Sequence, residues 1–242
     1  MWDRRTDRFT LGQWFKGRIY ERRCDLSPDG THLLYFALDG KWQELSQGSW
    51  SAISRAPYLK ALAFFPKGDC WQGGGLFLDN SHYWLNGYGC HWEGRNSTHL
   101  QHDDAYQPIG GRGGECLGVY YPRLLRDGWT LREQLSAGVT DQCEVFEKPF
   151  ANGWVLRKYA HAQVGSPAGK GCYWDEHELV HSQRNRSLPQ PQWEWADVDG
   201  TRLVWAEAGS LWTGTLTDDG ITALQQLHDF NPLTFERRTA PY

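Results

Sequence analysis

The sequence lacks the features that identify several common classes of protein. It has one methionine and 14 tryptophans among 242 residues, a balance that suits packed sheets better than helical bundles. No apolar run is long enough to span a membrane, and at a net charge of −4 the basic residues form no long run. We therefore expect neither a membrane nor nucleic acid as a partner. The first 20 residues hold no apolar signal segment, so we expect a cytoplasmic location.

Three short motifs for common catalytic and cofactor sites are also missing. The sequence contains no G-x-S-x-G, no dinucleotide-binding glycine pattern and no P-loop. Its six cysteines are widely spaced without a C-x-x-C pair, and a reducing cytoplasm favours free thiols over three disulfides. We predict no catalytic residue, no metal ligand and no cofactor, although a Ser/His/Asp triad stays open because its members need not be neighbours in sequence.

What the sequence does contain is a repeated turn followed by a predicted hairpin. The clearest turn is residues 27–30 (SPDG), in which proline presets φ and glycine closes the turn. Similar turn signals recur at intervals that average about 42 residues. Apolar segments with a polar centre follow the turns and predict hairpins. They are residues 34–42, 76–84, 172–180 and 204–212, with a less clear one that starts at residues 119–121.

Five copies of this length match the blades of a β-propeller. A lone hairpin is marginally stable in water, whereas stacked blades bury both faces of each sheet and explain the abundance of aromatic residues. We therefore predict an all-β, single-domain, five-bladed β-propeller that occupies residues 1–242. Residues 1–21 would help to close the ring, and residues 229–242 would pack as a C-terminal tail.

Two of the repeats carry a family resemblance. Residues 25–31 (DLSPDGT) and 199–205 (DGTRLVW) resemble the repeat of TolB-like β-propellers. The resemblance implies the propeller fold and a binding platform, and it implies no catalytic residue. A non-enzymatic protein that binds a protein or other macromolecule is therefore the leading functional prediction.

The predicted binding mouth consists of residues 68–75, 86–114 and 165–171, because loops on a rigid scaffold commonly carry function. Residues 86–114 are irregular and mix glycine, histidine and acidic residues. His99, His102, Asp103 and Asp104 are acceptable ligands for a divalent metal, but nothing in the sequence fixes their geometry, so a polar binding loop is preferred. The candidate binding residues are Trp71, Trp92, His99, His102, Asp103, Asp104 and Arg112.

Residues 177–181 (HELVH) match the H-E-x-x-H signature of zinc proteases. That chemistry needs a helix, because only a helix directs side chains four residues apart at one metal. Here the repeat predicts a strand, in which His177 and His181 would share a face about 13 Å apart, too far for one zinc ion. We therefore predict no zinc site at this motif.

Acidic residues at the predicted hairpin turns suggest one alternative function. Some five-bladed propellers are glycosidases, which need two carboxyl groups about 5–10 Å apart. Asp39, Asp79, Asp175 and Glu176 could supply them, although turn preference explains the same residues more simply. The alternatives are thus a glycan-active or metal-dependent hydrolase, and a bacterial immunity or inhibitor-type protein.

Overall fold

The computed structural model describes residues 1–87, 91–92, 94–110, 115–138 and 141–242. The protein is mostly β, with 46% strand and, among the described residues, one α-helix. The strands form several antiparallel sheets, so the prediction of a β protein is confirmed at this level. The chain divides into two compact units. The first comprises Met1–Asp3, Arg8–Asp127 and Phe235–Tyr242, and the second Arg4–Asp7 and Gly128–Thr234.

The first unit contains eleven strands in the described residues, the α-helix and a short 3-10 helix. The strands are β1 (Trp2–Asp3), β2 (Arg8–Phe9), β3 (Arg18–Ile19), β4 (Asp25–Leu26), β5 (His32–Leu38), β6 (Ser49–Arg55), β7 (Ala61–Pro66), β8 (Gly75–Phe77), β9 (His82–Leu85), β10 (Arg95–Asn96) and β11 (Gln101–His102). The 3-10 helix is Glu21–Arg23, and α1 is Leu117–Arg126. One sheet has the order β10-β7-β6-β5-β3 with β4 also on β5, and another has the order β11-β9-β8.

The six-stranded sheet of the first unit is covered on both faces, which explains its almost continuous apolar strands. One face packs in a cluster with the three-stranded sheet, formed by Leu34, Ile53, Ala63, Phe65, Phe77, Tyr83 and Leu85. On the other face, Tyr35, Ala37, Trp50 and Ala52 pack against Phe15 and Ile19 from the N-terminal segment. Burial on both faces favours runs such as residues 33–38 (LLYFAL) over strict alternation.

The second unit contains two antiparallel meanders. The first has five strands: β12 (Thr130–Gly138), β13 (Asp141–Pro149), β14 (Val155–Gln163), β15 (Tyr173–His181) and β16 (Arg186–Gln190). The second has four: β17 (Trp195–Asp199), β18 (Arg202–Glu207), β19 (Ser210–Thr217) and β20 (Gly220–Asp229). Short 3-10 helices occupy Ala151–Gly153 and Ser182–Arg184. Trp193 stacks on Trp205 with ring centroids 4.9 Å apart, and Arg202 forms a two-pronged ion pair with Asp7.

Two predicted hairpins are confirmed and a third is partly correct. In residues 76–84, Leu76 pairs with Trp84 across the β8–β9 turn, and in residues 204–212, Trp205 pairs with Trp212. In residues 34–42 the first arm is β5, but the second arm begins only at Ser49. Trp42, the last residue of the predicted hairpin, lies in the intervening loop.

The other two hairpin predictions are wrong. Residues 119–121 lie inside α1, so they begin no strand. Residues 173–181 form one continuous strand, and the predicted turn at Asp175 and Glu176 is absent. Asp175 is tolerated within this strand because its carboxylate lies 3.3 Å from the buried ammonium of Lys158 on β14.

The H-E-x-x-H segment lies in a strand, as predicted. His177 and His181 are each 3% exposed and have separate neighbours. His177 Nδ1 lies 3.3 Å from the carbonyl oxygen of Trp193, whereas the His181 ring contacts the ring of Trp154 edge-on. The helical arrangement that zinc-protease chemistry requires is therefore not formed. None of the described helices is long and apolar enough to cross a membrane.

Candidate functional site

Three loops of the first unit meet at one end of the strands of the six-stranded sheet. Because β5, β6 and β7 are antiparallel neighbours, loops 39–48 and 67–74 leave the sheet at the same end. The described part of loop 86–94 reaches this end too, since the Trp92 amide donates to the Pro66 carbonyl over 3.0 Å. Each loop exposes one tryptophan: Trp42 is 48% exposed, Trp71 67% and Trp92 53%. We call the surface formed by these three residues the tryptophan edge.

Hydrogen bonds hold the backbone at Trp71 and at the residues directly before and after it. The Asp69 carboxylate accepts its backbone N–H over 2.8 Å. The Arg23 guanidinium donates to the carbonyl of Cys70 over 2.8 Å and also to the carbonyl of Gln72. The backbone around the exposed indole is therefore fixed by a charged side chain.

The charged Arg23 side chain is fully buried, and its other neighbours stabilise it there. Its side chain also donates to Glu115 Oε2 over 3.0 Å and to the sulfur of Cys116 over 3.3 Å. Its guanidinium carbon lies 4.6 Å and 4.7 Å from the ring centroids of Tyr20 and Phe36, a distance typical of cation–π contacts. The arginine thus joins the tryptophan edge to the apolar interior.

The glycine run at residues 73–75 allows the loop to approach this arginine. Gly73 and Gly74 have φ values of +87° and +71°, which favour glycine. A Cβ atom on Gly74 would lie 1.9 Å from the Arg23 carbonyl oxygen, and one on Gly73 would lie 2.3 Å from the Phe36 ring. The absence of a Cβ atom at these positions therefore lets the loop backbone lie directly against Arg23 and Phe36.

A second anchor is the ion pair of Lys67 and Asp69. The Lys67 side chain is 1% exposed, and its ammonium lies 2.7 Å from the Asp69 carboxylate, which is 42% exposed. The Ser49 hydroxyl donates to the Asp69 carbonyl over 2.5 Å. Asp69, whose carboxylate accepts the Trp71 amide, is therefore itself hydrogen-bonded to β6.

Below the tryptophan edge, Ser51 and His91 form a hydrogen-bonded pair. Ser51 Oγ lies 2.8 Å from His91 Nε2, and His91 Nδ1 lies 3.0 Å from the Gly87 carbonyl oxygen. Burial lowers the pKa of His91 to about 4, so the ring is neutral at pH 7. A carbonyl only accepts, so Nδ1 carries the proton and Ser51 donates to Nε2. The Gly74 amide in turn donates to Ser51 Oγ over 2.8 Å.

This tautomer is the one that a serine–histidine catalytic pair needs. However, Ser51 is 0% exposed, so a substrate cannot reach its hydroxyl in this conformation. The pair instead ties β6 to loops 67–74 and 86–94. Sequence reasoning missed it because the two residues are 40 positions apart and belong to no motif.

The remaining predicted site residues do not join the tryptophan edge. Ser97 donates to the Leu62 carbonyl near the start of β7, so His99 follows at the opposite end of the sheet from Trp71 and Trp92. His99 and Asp104 are exposed.

His102 and Asp103 have local structural contacts. The His102 ring lies 5.4 Å from the buried ring of Tyr83, and the Asp103 carboxylate accepts the amides of Ala105 and Tyr106 over 3.0 Å each. Arg112 lies outside the described residues, as do parts of the predicted segment 86–114. Within the described chain, no three His, Cys, Asp or Glu side chains are grouped so that they could hold a metal ion.

Two of the acids considered for glycoside hydrolysis shape turns. Asp39 accepts the Lys41 amide over 3.0 Å, and Asp79 accepts the amides of Ser81 and His82 over 2.6 Å and 2.7 Å. These contacts confirm turn preference as the reason for both residues.

The second unit has a separate polar cluster on its five-stranded sheet. Cys143, His161 and Trp174 are directly opposite one another on β13, β14 and β15, and Glu176 lies two residues beyond Trp174. They line a cavity of about 610 Å³ together with Leu135, Asp141, Gln163 and Pro167. His161 Nε2 lies 3.9 Å from the Cys143 sulfur and 3.4 Å from Glu176 Oε2. We call Cys143, His161 and Glu176 the thiol–imidazole cluster.

The thiol–imidazole cluster is not arranged for nucleophilic catalysis. Burial and the nearby carboxylates, Glu176 first among them, raise the pKa of the Cys143 thiol to about 11. The thiol is therefore protonated at neutral pH, whereas a nucleophilic cysteine needs a lowered pKa. Moreover, sulfur and carboxylate approach the same imidazole nitrogen, whereas a triad places them on opposite nitrogens.

The fold and these two sites define the protein as a mostly β, multi-sheet protein with an aromatic loop edge on one unit and a thiol–imidazole cluster on the other. No protein family, curated protein or solved structure matches the chain.

Proposed function

We propose that this is a non-enzymatic binding protein that holds a protein partner at the tryptophan edge. The observation that carries the proposal is the exposure of Trp42, Trp71 and Trp92, at 48%, 67% and 53%, on three neighbouring loops. Single exposed apolar residues are common, but grouped ones mark interaction sites. Tryptophan is among the residues most enriched at the energetic centres of protein interfaces.

The anchoring of the loops supports the same function. Binding costs free energy when side chains and loops must be ordered, and rigid aromatic anchors reduce that cost. Trp71 lies between two carbonyls held by buried Arg23, and its own amide is capped by Asp69. The Trp92 amide is bonded to Pro66 at the end of β7. At least two of the three indoles are therefore presented from a fixed backbone.

The alternatives have less support. A glycan-active hydrolase needs paired carboxylates, yet Asp39 and Asp79 cap their own turns. A serine hydrolase would need access to Ser51, which is 0% exposed. An immunity or inhibitor-type protein is a form of the binding proposal in which the partner is an enzyme. A cytoplasmic location remains part of the proposal.

We also propose that the sheets are blades of a TolB-like five-bladed propeller. The four-stranded meander β17–β20 has the strand number of a blade, and the repeated segments 76–84 and 204–212 both form tight hairpins. A crystal structure would test this proposal. It should show five sheets around one axis, and an open arrangement of sheets would contradict it.

The binding proposal is tested by removing the indoles. The double variant Trp71→Ala/Trp92→Ala would be compared with the wild-type protein in affinity capture from the native cell, followed by titration of the purified partner. A tryptophan at the energetic centre of an interface contributes about 2 kcal/mol or more, which corresponds to about 30-fold in affinity, so we expect the double variant to lose at least this factor.

Phe235→Ala provides the matched control. Phe235 is 73% exposed in the same unit, but it belongs to the C-terminal segment and not to the tryptophan edge. It should bind the partner as the wild type does. A partner retained equally by the double variant, or lost equally in the control, would exclude the tryptophan edge as the binding surface.

A further inference from the structure

We propose that Cys143 and His161 form a binding site for a soft metal cation, with Cu⁺ as the species that fits best. The site lies in the second unit and is independent of the tryptophan edge. Thiolate sulfur is the ligand that soft cations prefer, and imidazole nitrogen suits copper as well. The two ligand residues lie directly opposite each other on adjacent strands, so the pairing of the strands fixes their positions.

The distance between the two ligand atoms fits one shared metal. With metal–sulfur and metal–nitrogen bonds of about 2.3 Å and 2.0 Å, the two atoms lie about 3.5 Å apart at a tetrahedral angle and about 4.3 Å apart in a linear arrangement. The observed separation of Cys143 Sγ and His161 Nε2 is 3.9 Å, within this interval. Few ligands at wide angles are the arrangement that Cu⁺ accepts and that harder divalent ions disfavour.

The imidazole is held in place by its neighbour. The His161 and Trp174 rings are stacked, with centroids 4.5 Å apart and an angle of 3° between their planes. Stacking fixes the plane of the imidazole and therefore the direction in which Nε2 points. An imidazole held in one plane loses less side-chain conformational entropy when it binds a metal.

Charge around the cluster also favours a cation. Asp141 and Glu176 line the same cavity, and Glu176 Oε2 lies 3.4 Å from His161 Nε2. The Glu176 side chain is 60% exposed and adds negative charge at the mouth of the cavity. A bound cation would neutralise the carboxylates and stabilise the thiolate that their charge otherwise disfavours.

The binding step is an exchange of a proton for a metal ion. The Cys143 thiol loses its proton to solvent, and the thiolate and the neutral imidazole each donate one electron pair to Cu⁺. No electron is transferred, and no oxidant or reductant is consumed. The cavity of about 610 Å³ gives the ion a route from solvent to the cluster.

The test is an anaerobic Cu⁺ titration of the full chain in competition with a colorimetric Cu⁺ chelator. The wild-type protein, Cys143→Ser and His161→Phe would be compared, since phenylalanine retains the stacked ring and removes the nitrogen. We expect the wild type to take one equivalent from the chelator, and each variant to lose at least tenfold in affinity. X-ray absorption at the copper edge should show one sulfur and at least one nitrogen ligand.

Cys172→Ser is the matched control, because Cys172 is an exposed cysteine of the same unit outside the cluster. It should bind Cu⁺ as the wild type does. Circular dichroism and urea unfolding would verify that the variants fold. Unchanged Cu⁺ binding by folded Cys143→Ser, equal loss in Cys172→Ser, or binding of Zn²⁺ but not Cu⁺ would each overturn the proposal.

Discussion

At the scale of single residues, His91 couples the ionisation of one side chain to the stability of the first unit. Burial lowers its pKa to about 4, with Lys67, Asp69 and His102 as the nearby charged or titratable groups. In the unfolded chain the pKa is about 6.5. Between these values the unfolded state binds more protons than the folded state, so stability falls as the pH decreases.

The expected effect is a loss of about 3 kcal/mol from pH 7 to pH 4 that belongs to His91 alone. Urea unfolding of the wild type and His91→Gln, measured over this range, would isolate it. The difference in unfolding free energy between the two proteins should decrease steadily as the pH is lowered. A constant difference would mean that His91 is not buried as a neutral ring.

Individual residues of the site differ in whether the sequence alone can predict them. The sequence predicts Trp71 and Trp92 as binding candidates because they lie in loops of the predicted binding mouth. It does not predict the contacts that hold Trp71, because Arg23 lies 47 and 49 positions from the carbonyls it bonds. Cys143 and His161 likewise meet only through strand register, which no local pattern encodes.

At the scale of elements, buried Asp25 joins three of them. It lies on β4, and its carboxylate forms a bidentate ion pair with Arg126 of α1 at 2.5 Å and 2.8 Å. It also accepts the amide of Phe77 on β8 over 2.8 Å. Asp25→Ala leaves this amide without its acceptor and the arginine without its partner, so we expect a loss of about 3 kcal/mol in unfolding free energy.

Asp127→Ala is the matched comparison, because Asp127 pairs with the same arginine at 2.9 Å but is 44% exposed. Surface ion pairs contribute about 1 kcal/mol or less, so this variant should lose no more than that. Both values come from urea unfolding at pH 7. Similar losses in the two variants would show that the Asp25 contacts do not hold β4, β8 and α1 together.

The elements that were predicted wrongly still carry a signal in the sequence. Leu117, Tyr120, Tyr121 and Leu124 are all buried and follow the i, i+3, i+4, i+7 spacing of a helix. The expectation of a regular repeat outweighed that spacing and assigned a strand instead. In β15, Asp175 resembles a turn residue, and only the buried Lys158 on the neighbouring strand makes it suitable for a sheet.

At the scale of the whole molecule, mostly β architecture followed from aromatic content and alternating segments, whereas the arrangement of the sheets did not. A repeat of about 42 residues predicts the number of blades but not whether they close, because closure depends on contacts between the first and last segments. The chain divides into two compact units, each with its own buried apolar residues. This division gives the propeller proposal a direct test.

A closed propeller should unfold in one cooperative transition, because each blade is stabilised by both of its neighbours and none is stable alone. Urea unfolding of the full chain, followed by tryptophan fluorescence and by circular dichroism, should then give coincident curves. Residues 128–234, produced separately, should remain unfolded, since a partial ring exposes the apolar faces of its end blades. If this fragment instead gave a dispersed amide spectrum and its own transition, the two units would be independent domains and the closed ring would be excluded.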